Sequence, residues 1–323
     1  MEFHNKMGLG AGPIAGLMTG EDTARQVEVI RAAVENGFEW IDTAAGYGSG
    51  KSETAIGRAL QALSFPKVQV ATKFRLNSPV SANPYPIIRD SLLASLGRLK
   101  LPNCELLYLH NAITKSEGDI PSSLAVEDIL RPDGVLQAMC QLKQEGLARN
   151  LALTATGDPE CNLRVLTTGK INAIQIPYHL LNPSAGMSVP PGVVEFDYGE
   201  QIPQAKKLGV RVFAIRVLAG GALAMLKPSQ HTMTTPYFPL DLFRKDTFRG
   251  GRLRSLLPKG MELQEAAIRF ALSNPDIDCV LAGLGTVEEV KDLARFASLD
   301  PLDEELKGKL LEKALSKPLK EKA

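Results

Sequence analysis

The chain has 323 residues, 44% hydrophobic and 23% charged, a balance that excludes a disordered or collagen-like polymer and allows one large domain or two small ones. Its 37 basic and 36 acidic side chains leave a formal charge of +1, which gives no concentrated basic surface for nucleic acid or an anionic membrane. No apolar run reaches the ~18 residues of a bilayer span, and Met1–Met7 has no apolar core of signal-peptide type. A cytoplasmic location is expected. Cys104, Cys140, Cys161 and Cys279 share no C-x-x-C or metal-ligand spacing, so plain thiols are expected, with no metal and no disulfide.

Short apolar runs alternate with amphipathic segments eight times along the chain. The first strand is expected over Lys6–Gly12, with a helix through Glu35 closed by Gly37. Phe38–Asp42 and Ser52–Leu63 form the second pair, Val68–Lys73 and Tyr85–Leu99 the third. Cys104–His110 is the fourth strand, and a loop over Asn111–Pro132 separates it from a helix at Gly134–Glu145. Leu147–Thr154 and Pro159–Thr168 follow, then Ala173–Pro177, a second long loop over Tyr178–Asp197 and a helix at Gly199–Leu208. Val210–Val217 is the seventh strand, and the longest connection, Leu218–Gly260, precedes the helix Leu263–Ser273. The last pair is Cys279–Ala282 and Val287–Ala297, and the charge-rich tail from Lys307 reads as a solvated helix.

Eight such units, with strands apolar on both faces, point to a closed parallel (β/α)8 TIM barrel. A single domain over residues 1–323 is expected, with long loops after strands 4, 6 and 7. The alternative, a doubly wound open sheet, would carry G-x-G-x-x-G at its first turn, and Gly8-Leu-Gly10-Ala-Gly12 does not complete that pattern.

In a barrel, function sits beyond the carboxyl ends of the strands. Asp42, Lys73 and His110 close strands two, three and four, and neighbouring strands lie only ~4.8 Å apart. The three ends therefore share one rim. Tyr47 follows Asp42 in a glycine-flanked loop, Gly46-Tyr-Gly-Ser-Gly50, that can fold back over them. An ammonium at Lys73 would lower the pKa of the phenol, Asp42 would keep the ammonium charged, and His110 could hydrogen-bond a substrate oxygen or share the proton with Tyr47. Such a set moves a proton at a carbonyl or alcohol oxygen but moves no electrons, so a hydride must come from a cofactor.

At these residues the chain resembles the aldo-keto reductases, from Gly8-Leu-Gly10 through Ile41-Asp-Thr-Ala-Ala-Gly-Tyr47, Ala71-Thr-Lys73 and Leu109-His110 to the last unit. Its D-T-A-x-x-Y-G form looks closest to the bacterial branch that includes aldose and sugar-lactone-forming dehydrogenases. The resemblance implies a barrel that binds extended NAD(P)H and acts on a small carbonyl or sugar. Tyr47 would be the general acid/base, Lys73 its pKa-lowering partner, Asp42 the orienter and His110 the carbonyl donor. It further implies that Thr154 and Gln175 hold the carboxamide, and that Val217–Leu223, with Gly220 and Gly221, approaches the pyrophosphate. Gly10 and Ala11 would flank the cofactor at the first strand. Gly283, Leu284 and Thr286 would form the adenosine-phosphate turn before the last helix.

The chain departs from the family pattern in places. Ala155 stands where many members have asparagine, and Ile215 where many have an aromatic. Glu289 occupies a position usually basic for a 2′-phosphate, with Gly283 where lysine is common, which leans towards NAD over NADP. Arg216 would contact the pyrophosphate or pair with a loop carboxylate. His4 and His231 are expected on the surface without a role, while His179, Tyr178, Tyr237 and Phe238 either line the site or pack. Two other functions fit parts of the pattern: a non-catalytic cofactor-binding regulator, and Schiff-base chemistry at Lys73, which would leave Asp42 and Tyr47 unexplained.

Overall fold

The computed structural model describes residues 6–65 and 67–316; His4 and residues 317–323 of the tail lie outside them. Eight parallel strands close into a barrel, each paired with its neighbours in the sequence. They are β1 (Met7–Gly10), β2 (Trp40–Asp42), β3 (Gln69–Phe74), β4 (Cys104–Leu109), β5 (Ala148–Thr154), β6 (Ala173–Pro177), β7 (Arg211–Ile215) and β8 (Cys279–Gly283). The register closes β1 on β8 through Met7 opposite Val280 and on β2 through Gly8 opposite Trp40.

Side-chain alternation splits the core in two. Trp40, Ala71, Leu106, Tyr108, Phe213 and Leu281 fill the barrel interior, while Ile41, Val70, Leu107, Leu151, Val212 and Val280 face the surrounding helices. Gly8 makes room for this packing. A Cβ there would lie 2.5 Å from Leu281 and 3.0 Å from Trp40, and Trp40 meets Phe213 edge-on at 4.9 Å.

The helices are α1 (Thr23–Glu35), α2 (Lys51–Ala62), α3 (Tyr85–Leu99), α4 (Val135–Gln144), α5 (Pro159–Leu166), α6 (Gln201–Lys207), α7 (Leu263–Leu272) and α8 (Val287–Ser298). The Asp22 and Asp158 carboxylates cap α1 and α5 by accepting from backbone N–H groups. Strand ends differ from the sequence expectation where the backbone turns early: β7 stops at Ile215 because Arg216 adopts φ 55°.

The long connections carry structure of their own. Residues 111–132 hold a two-stranded pair, Ile113–Thr114 with Leu124–Ala125, and a short helix, Val126–Leu130. Residues 218–260 hold a 3-10 turn, Ala219–Ala224, and the helices Gln230–Thr234 and Leu240–Gly251. The tail helix, Glu304–Leu315, is not solvated all round: it buries Leu310 and Ala314, and the Arg249 guanidinium donates to the Ala314 carbonyl at 2.9 Å. The four cysteines are free thiols. Among the described residues no helix is long and apolar enough to cross a membrane.

Candidate active site

The alternation that fills the barrel also builds its upper layer. Stepping two residues from Trp40 reaches Asp42, from Ala71 Lys73, from Tyr108 His110, and from Ala152 Thr154. Gln175 and Ile215 follow Ala173 and Phe213 in the same way. Above this layer opens a cleft of about 1240 Å³.

The four groups read from the sequence come together there. Lys73 is 2% exposed, and its Nζ donates to Asp42 Oδ2 at 2.5 Å, to the Thr43 carbonyl at 2.8 Å and to Tyr47 Oη at 3.3 Å. Gln175 Nε2 donates to the other carboxylate oxygen of Asp42. Tyr47 meets the His110 ring edge-on, centroids 5.7 Å apart. Local backbone bonds aim the phenol: Ala45 N–H donates to the Lys73 carbonyl, Tyr47 N–H to the Ala44 carbonyl, and Ser52 N–H to the Tyr47 carbonyl. Gly48, Ser49 and Gly50 take left-handed φ in succession, turning the loop back into α2.

Lys73 pulls the pKa of the phenol down as expected, but burial decides its net direction. Burial raises the pKa of Tyr47 above the ordinary phenol value, and Lys73, which pulls it down, does not outweigh burial. The phenol is therefore protonated at neutral pH. Burial opposes the charge on Lys73, and its charged and hydrogen-bonded neighbours, Asp42 first, leave its pKa raised. Its three protons go to Asp42, the Thr43 carbonyl and Tyr47, an arrangement that holds Lys73 as a cation rather than as the free amine that Schiff-base chemistry needs. Burial, reinforced by Lys73 and Arg75, holds His110 well below the usual imidazole range, so it is neutral.

A second set of groups faces the cleft with hydrogen-bonding capacity unspent. Among the described residues the buried Thr154 hydroxyl finds no partner, nor does Arg216 Nε. The Arg216 guanidinium stacks on Phe238 at 3.7 Å, and burial lowers its pKa to about 10. Gly220 and Gly221 take φ of 71° and 103° beside it, so the turn after β7 presents backbone where side chains would crowd. Gly10, Gln175, Val217, Gly283, Thr286 and Glu289 also line the cleft. Ala11 and Leu284 do not: both are buried in the core between barrel and helices, and Ala11 spends its N–H on the Asp42 carbonyl and its own carbonyl on Ser52. Glu289 is drawn into a capping box on α8, where its Oε2 accepts from Gly285 N at 2.6 Å and Thr286 N at 3.2 Å.

Among the remaining aromatics and histidines the structure divides the roles. Tyr178 stacks on Phe270 in the core, and His179 is buried in a small pocket beside Arg216 and Phe238. Tyr237 and Phe238 line the cleft, and His231, exposed as expected, stands at its lining too. The sequence reading passed over Arg75, Arg25 and Tyr198, which line it too. Arg75 had a signal, since two residues beyond Lys73 it falls on the same face of the strand. Tyr198 had none, because it lies within a loop whose path only packing sets.

The orphaned hydroxyl, the guanidinium with its unpartnered Nε and the open turn fit a dinucleotide laid across the barrel top: a hydroxyl for an amide, a guanidinium and bare backbone for phosphates, and a helix N-terminus at the far end. Known proteins share this fold. The model of the Aldo/keto reductase family matches residues 6–313. L-galactose dehydrogenase of Arabidopsis thaliana is 28% identical over 92% of this chain and 85% of its own length, and an aldo-keto reductase of Bacillus subtilis 24% identical over 98% and 92%. Among solved structures, the glycerol dehydrogenase AKR11B4 from Gluconobacter oxydans superimposes with a TM-score of 0.71 at 22% identity, covering 97% of this chain and 94% of that one. An aldo-keto reductase from Klebsiella pneumoniae in complex with NADP and acetate reaches 0.67 at 18%, covering 97% and 93%. With its barrel, its rim of polar groups and a family match over nearly its whole length, the chain belongs to the aldo/keto reductase family and is an oxidoreductase.

Proposed function

We propose that the chain transfers a hydride between NAD(P)H and the carbonyl carbon of an aldehyde, ketone or aldose, with Tyr47 exchanging the proton at the carbonyl oxygen. The observation that carries this is Lys73 Nζ bridging Asp42 Oδ2 and Tyr47 Oη inside a cleft that His110 also lines. Neutral His110 donates a hydrogen bond that orients and polarises the carbonyl. Tyr47, a neutral phenol at ordinary pH, gives its proton to the oxygen as negative charge develops there. The phenolate left behind forms beside the Lys73 ammonium, so the charge that burial penalises is offset when it appears. Asp42 keeps that ammonium charged and aimed. The bound nicotinamide supplies the hydride.

Thr154 would take the carboxamide through its unpaired hydroxyl, with Gln175 turned to hold Asp42. Arg216, Val217 and Gly220 would take the pyrophosphate, and the turn at Gly283 and Thr286 the adenosine end. We place the preference with NAD. Glu289 lines that end with Oε2 fixed by two N–H groups, and its negative charge repels a 2′-phosphate while Oε1 can accept from a 2′-hydroxyl. We further infer one domain over residues 1–323, because the eight units share one barrel. The substrate class extends to aldoses on the strength of the plant relative, named for L-galactose.

Fluorescence titration with NADH and NADPH, followed by a panel of aldehydes and aldoses, tests the cofactor and the reaction. Tyr47→Phe is expected to lower kcat at least ~10²-fold with cofactor affinity nearly unchanged. Undiminished turnover in that variant would remove Tyr47 from the mechanism.

A further inference from the structure

We propose that Arg75 is an anion-binding residue of the substrate site and that the carbonyl compounds this chain prefers carry a carboxylate. The inference rests on the oxidoreductase function above and narrows its substrate class. Arg75 lines the same cleft as Tyr47, Lys73 and His110. Its Nη1 donates to Tyr237 Oη at 2.8 Å, and its Nη2 lies 3.5 Å from the His110 carbonyl. Both partners are neutral. Arg98, Arg131, Arg211, Arg249 and Arg269 each find a carboxylate, whereas among the described residues Arg75 has none, as is also true of Arg25 and Arg216 in the same cleft.

Among the described residues that line the cleft, both acids are already engaged. Asp42 is committed to Lys73 and Gln175, and Glu289 to the N-terminus of α8. A guanidinium carries five N–H donors, so three remain after the two contacts, enough for a paired carboxylate. The group is also preorganised. Tyr237 Oη, which accepts from Arg75, in turn donates to the Pro121 carbonyl, so the long loops after β4 and β7 together hold the side chain in place. Arg75 lies close enough to the reacting groups to lower the pKa of both Tyr47 and His110. A carboxylate held at Arg75 places a carbonyl a few bonds away against Tyr47 and His110, which fits an oxo acid or a uronate.

The test compares matched substrates, succinic semialdehyde with butanal and glucuronate with glucose, in wild type and Arg75→Gln with the preferred cofactor. Wild type is expected to favour the carboxylated member at least ~10-fold in kcat/KM, and Arg75→Gln to cost succinic semialdehyde at least ~10-fold more than butanal, chiefly in KM, with Arg75→Lys intermediate. Calorimetric titration of the enzyme–cofactor complex with succinate reads the same subsite without turnover, and binding lost in Arg75→Gln supports the proposal. Equal wild-type rates for the matched pairs would overturn it. So would equal losses on both members in Arg75→Gln and Tyr237→Phe, which would make Arg75 a tie between the two loops. Turnover of no carbonyl at all, with succinate binding intact and dependent on Arg75, would reject the proposed reaction and keep the anion site.

Discussion

Two carboxylate clusters lie at opposite ends of the barrel, and they are built alike but finished differently. At the amino ends of the strands, Asp278 accepts from Arg211 Nη1 at 2.7 Å, from Val212 N–H at 2.8 Å and from Lys206 Nζ at 3.2 Å, with both cations about a third exposed. Every contact is to the chain itself. At the carboxyl ends Asp42 is as tightly held, by Lys73 and Gln175, but Lys73 spends its last proton on a phenol that faces the cleft. The lower cluster ties β7 to β8; the upper one hands its charge on to a group that can react. A buried ion pair is therefore no mark of function in this protein. The neighbour it leaves open to a ligand is.

Breaking the upper cluster is expected to have the largest effect. Lys73→Met leaves Asp42 buried without its cation, costing about 3 kcal/mol of stability and at least ~10²-fold in kcat. The double variant Lys73→Met/Asp42→Leu is expected to recover the melting temperature and none of the turnover. If recovery of stability brought activity with it, the distinction between the two ends would fail. The lower cluster should show the reverse pattern: Asp278→Asn is expected to cost about 1–3 kcal/mol in urea unfolding while kcat/KM stays within about 2-fold.

A smaller, pH-dependent effect sharpens the contrast. His179, just beyond β6 at the upper end, is buried beside Arg216 and Arg249, and burial first, then those cations, pushes its pKa from 6.5 down to about 3. Below pH 6.5 the unfolded chain binds a proton that the folded chain refuses, so this histidine removes stability as pH falls. The loss is on the order of 1 kcal/mol per pH unit until the folded value is reached. Denaturation midpoints of wild type and His179→Gln, compared at pH 7.5 and pH 5, should converge at the lower pH. A constant gap between them would mean that His179 does not titrate on unfolding.

Much of the candidate site was legible because strand periodicity and strand ends are local properties. Asp42, Lys73 and His110 end apolar runs, and in a parallel barrel three consecutive ends must share a rim. The cradle was half legible. Gly220 and Gly221 announce an unusual turn, yet nothing local says that Arg216 remains unpaired or that Ala11 and Leu284 point into the core. Glu289 shows the limit in a single residue: its position suggested a ribose contact, and Thr286 three residues earlier makes it a helix cap as well.

The order of apolar runs, their two-residue alternation and the residues at their ends were set by the sequence alone, because backbone geometry fixes which side chains share a face before any tertiary contact forms. What only the folded chain decided is how charge is balanced between groups distant in sequence. Burial outweighs Lys73 in setting the direction of the Tyr47 pKa, and Arg75 meets Tyr237, 162 residues away, instead of an acid. Desolvation and pairing depend on what the whole barrel brings within a few ångströms of each group, and no stretch of sequence contains that information.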